Sequence, residues 1–375
     1  MYRLMPFVSH ENLPQTEYPS FLEIRMAVSK INELLAALAR SARAPLALLP
    51  TPLHRLENFA RELNLPELWI KRDDMTGLEG GGNKTRKLEF LVGDAIESGC
   101  DMLATVGAIQ SNHTRQTAAA AAKCRLKCAL LHFGWSKDAG PLYRQTGNIL
   151  LSSLMGAELY LDATERPIED QSPLLEFVER LKQSGHNPYL IPGGASEHRL
   201  GSFGYMACAA ELVLQNREKG TQFDYIVHCT GSSSTQAGLV AGFAFLGEEI
   251  KVIGVADDGE TAIKRSRVLE LANSALAELE MSARVSPTDI EITSADQSVY
   301  GNAEPETYEL IRLLARSEGL VADPVYEGKA LRGLQKLAAD GRFESGSRVL
   351  LMHLGGTPAV HAYANQFGQP VFSNF

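Results

Sequence analysis

The chain has 375 residues, of which 45% are hydrophobic and 22% charged, a composition typical of a soluble protein long enough for two α/β domains. Its net charge of -9 argues against binding to nucleic acid, so no nucleic-acid partner is expected. No apolar run approaches the roughly 18 residues that span a bilayer, and the first residues lack a secretory signal. We therefore expect a cytoplasmic protein with no membrane partner.

The five cysteines are Cys100, Cys124, Cys128, Cys208 and Cys229. Their odd number and dispersed positions indicate reduced thiols. No histidine follows Cys124 and Cys128 at the spacing of a zinc site, so no metal is expected.

Residues 1–46 are predicted to form an N-terminal helical extension. The stretch "PSFLEIRMAVSKINELLAALARSA" has helical periodicity with an apolar stripe, which leaves open whether it packs on the body or on a partner subunit. The segment "PLALLPTPLHRL" then opens the body, and its three prolines disfavour a helix.

From residue 67 onward, strand and helix patterns alternate. The predicted strands are 67–74, 101–108, 127–133, 157–162, 188–194, 225–231, 251–256 and 347–356. The predicted helices are 85–99, 110–125, 147–156, 172–185, 202–220, 234–247, 305–319 and 329–341. This alternation predicts an α/β fold of parallel sheets covered by helices on both faces.

The segment "CTGSSSTQAG", residues 229–238, joins an apolar strand to a helix through small, hydroxyl-rich residues. Free backbone amides at the positive end of a helix dipole favour an anion. The segment lacks both the P-loop lysine and the GxGxxG pattern, so it indicates one phosphate rather than a nucleotide. A serine-rich turn that binds nothing is the alternative.

The segment "GAIQSNHTRQ", residues 107–116, also follows a strand and opens a helix, with Ser111 or Asn112 as its cap. Its amides, together with Ser111, Asn112 and His113, can hold a carboxylate, although a simple capped helix explains the pattern as well.

In "EGGGNKTRKLEFL", residues 79–91, three glycines and Asn83 precede Lys84. A lysine beside a monophosphate site suggests a Schiff base to pyridoxal phosphate, whereas a solvated lysine at a helix start is the alternative. Late loops add Tyr300, Tyr326 and Glu327 as further candidates.

The motifs "GGNKTRKLEFL", "GAIQSNHTRQTAA", "STQAG", "DPVYEGK" and "HLGG" occur in this order between Pro50 and Ala364. Together they resemble the fold-type II pyridoxal phosphate enzymes of the 1-aminocyclopropane-1-carboxylate (ACC) deaminase and D-cysteine desulfhydrase family. The resemblance implies a two-domain, three-layer parallel-sheet fold, tryptophan synthase β-like, with the cofactor in the cleft. It implies a large domain of 47–85 and 197–375, a small domain of 86–196, and a homodimer.

The resemblance also implies roles for individual residues. Lys84 would be the cofactor-bound lysine and the base, with Tyr300 and Tyr326 as active-site tyrosines and Ser111 holding the substrate carboxylate. Contacts to the cofactor would come from Asn83, Asn112, Thr230, Gly231, Ser232, Ser233, Ser234, Thr235, Glu327 and Leu354. Contacts to a small amino-acid substrate would come from Gln110, Ser111, Asn112, His113 and Trp135.

Two branches of the family remain open. Glu327, expected to face the pyridine nitrogen, resembles ACC deaminases, as do Leu354 and Trp135. His113 and "KRDDMTGL" resemble D-cysteine desulfhydrases and L-cysteate sulfo-lyases. The leading prediction is an ACC deaminase that releases 2-oxobutyrate and ammonia, with Lys84 as acid and base. Its ring opening begins either with attack of Tyr326 on a ring methylene or with removal of a ring β-proton. The alternatives are D-cysteine desulfhydrase, a related β-elimination, or a cofactor-binding protein without turnover.

Overall fold

The computed structural model describes residues 21–134, 140–162, 172–368 and 372–373, with side chains from residue 28. The strands are β1 (Leu53–Arg55), β2 (Glu67–Arg72), β3 (Met102–Ala108), β4 (Lys127–Phe133), β5 (Glu158–Asp162), β6 (Pro188–Ile191), β7 (Tyr225–Thr230), β8 (Lys251–Ala256), β9 (Glu291–Thr293) and β10 (Arg348–His353). The α-helices are α1 (Phe21–Leu38), α2 (Glu57–Glu62), α3 (Asn83–Glu97), α4 (Asn112–Cys124), α5 (Asn148–Leu154), α6 (Ser172–Gln183), α7 (Phe203–Lys219), α8 (Ser234–Leu246), α9 (Thr261–Glu278), α10 (Pro305–Glu318) and α11 (Glu327–Ala339).

The strands form two sheets. One has six strands in the order β1-β2-β10-β7-β8-β9, and the other has four in the order β5-β4-β3-β6. All neighbours are parallel except β1 and β2, which pair antiparallel where the prolines precede β1. The chain begins the larger sheet, builds the whole smaller sheet, and then returns. The predicted α/β fold is confirmed, while the domain boundaries at 46, 85 and 196 stay a prediction.

Helices cover both faces of the larger sheet. Every residue of β7 is buried, and β8 exposes only Lys251, as expected of strands covered on two sides. One apolar cluster joins the sheet to α7, α8 and α9, and another joins it to α2, α10 and α11. Burial of these apolar side chains is the main favourable term in folding.

The helix of the N-terminal extension packs on the body of the chain. Ile31, Leu34 and Leu38 lie at helical spacing on α1 and are buried in the cluster that contains α7 and α8. This contact answers the question that the sequence left open for residues 28–46. Residues 1–20 lie outside the described part of the chain.

Helix α9 was not predicted from the sequence. The buried residues of this helix are Lys264, Val268, Ala272, Ala275 and Leu276. Because one of them is a lysine and two are small alanines, the sequence shows only a weak apolar stripe. The short elements β1, α2 and β9 were also not predicted, because three to six residues are too few for a periodic pattern.

None of the helices in the described ranges is both long and apolar enough to cross a membrane. Within the same ranges, no group of three or more histidine, cysteine, aspartate or glutamate side chains is placed to hold a metal ion.

Candidate functional site

A cavity of about 410 Å³ lies where the carboxyl ends of strands from both sheets meet. Parallel α/β folds place ligands at this edge, because the loops that follow the strands converge there. The cavity wall includes most of the predicted site residues: Asn83, Lys84, Ser111, Asn112, His113, Thr230, Gly231, Ser232, Ser233, Thr235, Tyr300, Tyr326, Glu327 and Leu354.

The glycines before Lys84 allow its helix to start at the cavity. Gly80, Gly81 and Gly82 all have positive φ angles, and a Cβ atom on Gly81 would lie 1.8 Å from the Asp74 carbonyl oxygen. The backbone amide of Asn83 then donates to the Leu354 carbonyl oxygen at 2.8 Å. The first turn of α3 is thereby fixed against the loop after β10.

Within the described part of the chain, no carboxylate contacts the Lys84 amine directly. Its Nζ donates to the Gly194 carbonyl oxygen at 3.1 Å and to Ser232 Oγ at 3.3 Å. Burial lowers the pKa of Lys84 to about 8, and the hydrogen bond with Lys87 and the more distant Asp257 only partly oppose this shift. About a tenth of this amine is therefore neutral at pH 7, far more than for an ordinary lysine, and the neutral form can act as a nucleophile or a base.

A second lysine, Lys87, lies one helical turn further on the same side of α3 and was not predicted as a site residue. It is fully buried, and its Nζ donates to Ser234 Oγ at 2.7 Å. Burial and the neighbouring Lys84 lower its pKa well below the ordinary value. The spacing of the two lysines in "NKTRK" was the available signal, because residues three apart share a helix face.

The loop at 230–235 has the features of an anion cradle. Ser233 has a φ angle of 71°, and α8 starts without a capping side chain. Among the described residues, Thr230 Oγ1 and Ser233 Oγ are buried without a hydrogen-bond partner. Uncapped amides and free hydroxyls at a helix start suit one phosphate group.

Ser111 is the cap of α4, which resolves the predicted choice between Ser111 and Asn112. Its Oγ accepts hydrogen bonds from the backbone amides of His113 at 3.2 Å and Thr114 at 3.3 Å. The Ser111 hydroxyl proton therefore remains available to donate. Asn112 is held by a hydrogen bond from Asn148 Nδ2 to its Oδ1 at 2.8 Å.

His113 is neutral and oriented by Thr105. Thr105 Oγ1 donates its proton to the Ile191 carbonyl oxygen at 2.7 Å, so His113 Nε2 donates to Thr105 Oγ1 at 2.8 Å. Burial, together with Lys84 and Lys87, lowers the pKa of His113 well below its ordinary value.

Two predicted residues, Gln110 and Ser234, do not line the cavity, and a third lies outside the described residues. Gln110 Nε2 donates to the carbonyl oxygens of Tyr143 and Thr146, which turns its side chain toward α5. Ser234 Oγ is engaged by Lys87 and Ser196. Trp135 lies outside the described residues.

Two tyrosines and a glutamate form the opposite wall. The hydroxyl groups of Tyr300 and Tyr326 are 2.6 Å apart, and burial raises the pKa of both. Burial also raises the pKa of Glu327 well above its ordinary value, and the nearby Asp323 adds to this effect. Burial therefore favours the protonated form of Glu327 inside the cavity.

Asp323, which the sequence did not single out, positions this wall. Its carboxylate accepts hydrogen bonds from the backbone amides of Val325 and Tyr326 at 2.9 Å and of Glu327 at 3.3 Å. These bonds organise the start of α11. An aspartate just before a helix start was the available signal.

The three functions that the cavity combines fit pyridoxal phosphate. Lys84 offers an amine of lowered pKa. The loop at 230–235 offers the hydroxyl groups of Thr230 and Ser233, which have no partner among the described residues. Glu327 offers a carboxyl group whose protonated form suits a ring nitrogen.

Comparison with known proteins gives consistent matches. Residues 45–355 match the family model described as pyridoxal-phosphate dependent enzyme. The chain is 43% identical over 334 residues to a 1-aminocyclopropane-1-carboxylate deaminase of Methylobacterium sp. (strain 4-46), covering 88% of this chain and 99% of that protein. It is also 43% identical over 333 residues to the enzyme of the same name from Rhizobium rhizogenes, covering 88% and 99%.

The chain also resembles two solved structures, one in sequence and fold and the other in fold alone. A crystal structure described as an ACC deaminase homologue superposes with a TM-score of 0.80 at 36% identity, covering 89% of this chain and 98% of that one. An O-ureido-L-serine synthase shares the fold alone, with a TM-score of 0.59 at 16% identity over 86% of this chain and 92% of that one.

Proposed function

This chain belongs to the pyridoxal-phosphate dependent enzymes, and from that premise we propose that it is an ACC deaminase, which opens the cyclopropane ring to give 2-oxobutyrate and ammonia. The fold-type II architecture and the dependence on pyridoxal phosphate follow from the family. The substrate is supported by relatives of that activity and by the presence of Glu327 at the cavity wall.

Glu327 is the observation that carries the proposal. ACC has no α-hydrogen, so its ring cannot be opened by removal of an α-proton and requires a strong electron sink instead. When bound, pyridoxal phosphate supplies that sink, and a proton on its ring nitrogen strengthens it. Glu327 holds a proton that it can share with this nitrogen, because burial raises its pKa well above the ordinary value.

The other residues bind the substrate and move protons. Ser111 Oγ donates a hydrogen bond to the substrate carboxylate, since its own acceptor sites are occupied by two backbone amides. Asn112 would contact the cofactor hydroxyl group, and residues 230–235 would bind its phosphate. Lys84 would hold the cofactor, and its amine would exchange protons with the substrate.

Tyr326 is the proposed nucleophile toward a ring methylene. Its pKa is raised by burial, so the phenol is protonated at rest and must lose its proton as it attacks. Tyr300, whose hydroxyl group is 2.6 Å away, holds this phenol by a hydrogen bond, and the neutral amine of Lys84, which lines the same cavity, would take the proton that Tyr326 loses. The pair can therefore deliver a nucleophile without a permanently charged phenolate.

D-Cysteine desulfhydration to pyruvate, sulfide and ammonia is the second candidate. It is favoured by His113, which occupies the position where ACC deaminases usually have glutamine, and which lines the cavity as a neutral ring. This elimination begins at an α-hydrogen and does not require a strongly protonated cofactor ring.

The decisive test measures 2-oxobutyrate from ACC and pyruvate from D-cysteine with the pyridoxal phosphate-loaded enzyme. We expect turnover of ACC, and we expect Glu327→Thr to lower ACC turnover about tenfold more than D-cysteine turnover, because only ring opening depends on the protonated ring. His113→Gln is the converse probe, because it leaves Glu327 in place and replaces the residue that favours the second candidate. Pyruvate and sulfide without 2-oxobutyrate would contradict the proposal and favour the second candidate.

We also propose that the enzyme is a cytoplasmic homodimer acting on a small amino acid. Exposed apolar side chains at Met75 (48% exposed), Leu150 (44%) and Leu154 (73%) support an interface between subunits. The five cysteines are unpaired, which suits a reducing compartment. Light scattering of the purified enzyme measures the mass directly, and a monomer of 40.9 kDa would contradict the dimer.

A further inference from the structure

A buried ion pair lies at the cavity wall beside the loop at 230–235. Asp257 follows β8, and Lys264 belongs to α9. Lys264 Nζ lies 2.9 Å from Asp257 Oδ1 and 2.8 Å from Asp258 Oδ2, and all three residues line the cavity. Asp257 is 5% exposed and Lys264 is 7% exposed.

The Asp257 carboxylate lies against the loop itself. A Cβ atom on Gly231 would be 2.6 Å from Asp257 Oδ2, so no side chain separates this carboxylate from the loop backbone. A carboxylate at this place repels any anion that the loop binds. Gly231 is the residue that permits the close approach.

Among the residues that the structure describes, two cations lie beside Asp257, and one of these two contacts its carboxylate. Lys329 Nζ donates to the Asp257 backbone carbonyl oxygen at 2.8 Å and to the Ser298 carbonyl oxygen at 3.0 Å, whereas Lys264 contacts Asp257 Oδ1. Burial raises the pKa of Asp257, and Lys264 is the first influence that opposes this rise. Lys264 therefore offsets the negative charge beside the loop.

We propose that Lys264 is a positioning residue for cofactor binding: it neutralises Asp257 and thereby allows the loop at 230–235 to accept the cofactor phosphate. The inference rests on the proposed placement of the phosphate at this loop. It assigns a role to α9, a helix that contributes none of the predicted site residues. The loop supplies the hydrogen bonds, and the ion pair supplies the charge balance.

The test compares the affinities of cofactor-free enzyme for pyridoxal phosphate and for pyridoxal, which lacks the phosphate, at about pH 8, where an unperturbed carboxyl group is ionised. Absorbance of the bound cofactor gives both dissociation constants. The variants are Lys264→Met, Lys264→Arg, Asp257→Asn and the double variant Lys264→Met with Asp257→Asn. The matched control is Lys336→Met, which breaks an exposed lysine–aspartate pair with Asp340 far from the cavity.

We expect Lys264→Met to weaken pyridoxal phosphate binding about tenfold and to leave pyridoxal binding unchanged, because only the phosphate meets the unbalanced carboxylate. Lysine-to-arginine replacement preserves the charge and should preserve the affinity. Asp257→Asn should restore phosphate affinity in the double variant, which a purely structural role of Lys264 would not produce.

Two outcomes would overturn the inference while leaving the proposed activity intact. Lys264→Met could bind pyridoxal phosphate as tightly as the unaltered enzyme, or it could lose both ligands equally. If the unaltered enzyme turned over ACC but showed no preference for pyridoxal phosphate over pyridoxal, the placement of the phosphate would fail. Absence of ACC turnover with normal pyridoxal phosphate binding would contradict the proposed function alone.

Discussion

Helix α3 carries buried cations on two faces, and only one of these faces provides them with carboxylate partners among the described residues. On one face of α3, Arg86 donates to both oxygens of Asp73 at 2.8 Å and to both oxygens of Glu211 at 3.0 Å. On the face that brings Lys84 to the cavity, the cavity face, no carboxylate among the described residues contacts Lys84 or Lys87, whose amines bond to carbonyl and hydroxyl oxygens and to each other. Within five residues, "NKTRK" thus supplies one paired cation and two without a carboxylate partner.

Arg86 and Lys84 are both buried, and the presence or absence of a carboxylate partner decides in which direction the pKa of each shifts. Burial disfavours the charged form of Arg86, yet Asp73 and Glu211 outweigh it and raise its pKa well above the ordinary value. The same burial lowers the pKa of Lys84 to about 8, because no adjacent carboxylate compensates. The paired face holds the helix in place, and the unpaired face supplies a reactive amine.

Removal of Lys84 should have the largest effect. Lys84→Ala deletes both the cofactor attachment and the proton-transfer group, so we expect loss of the absorbance of bound cofactor and a fall in ACC turnover of at least about a thousandfold. Absorbance spectra and the 2-oxobutyrate assay measure the two effects. Lys336→Ala, at an exposed site, serves as the control. Retained activity in Lys84→Ala would refute the assignment of the cavity face.

Removal of Arg86 should affect stability instead of chemistry. Arg86→Met leaves Asp73 and Glu211 buried with too little positive charge, so we expect a loss of about 3–5 kcal/mol in the free energy of unfolding. Urea denaturation of the variant and of the unaltered enzyme measures this difference in the free energy of unfolding.

The matched control is Arg342→Met, which breaks an arginine–glutamate pair with Glu291. Arg342 is 32% exposed and Arg86 only 1%, so we expect the control to cost less than about 1 kcal/mol. Equal losses in the two variants would mean that burial does not distinguish the pairs, and the contrast between the two faces of α3 would fail.

The sequence predicted the cavity face better than the paired face. Lys84, Ser111 and the loop at 230–235 stand at junctions of strand and helix, where local patterns are informative. The partners of Arg86 come from residues 13 and 125 positions away along the chain. No local pattern encodes such contacts, and so the cluster was not predicted.

Contacts between distant parts of the chain also explain why Gln110 does not line the cavity and why α9 was not predicted. Gln110 lies next to Ser111, one of the two residues predicted as the cap, but its side chain turns to the carbonyl oxygens of Tyr143 and Thr146 in the segment before α5. Lys264 interrupts the apolar face of α9, because it pairs with Asp257 on a different strand end. In both cases a tertiary polar contact outweighs the local pattern.

The smallest expected effect concerns the pH dependence of Lys84. The pKa of about 8 means that the amine gains nucleophilicity as pH rises through that value, since the protonated form cannot attack. We expect the rate at which cofactor-free enzyme recaptures pyridoxal phosphate to rise about tenfold between pH 7 and 9 and then to level off. Stopped-flow absorbance measures this rate.

A midpoint near the ordinary lysine pKa of about 10.5 would instead mean that Lys84 is solvated or paired like Arg86. Asp73 and Glu211 offer a way to separate these possibilities. Arg86→Met leaves excess negative charge behind α3, which favours the protonated form of Lys84. The midpoint should therefore move above pH 8 in that variant, because the two faces of the helix are electrostatically linked even though their side chains point apart.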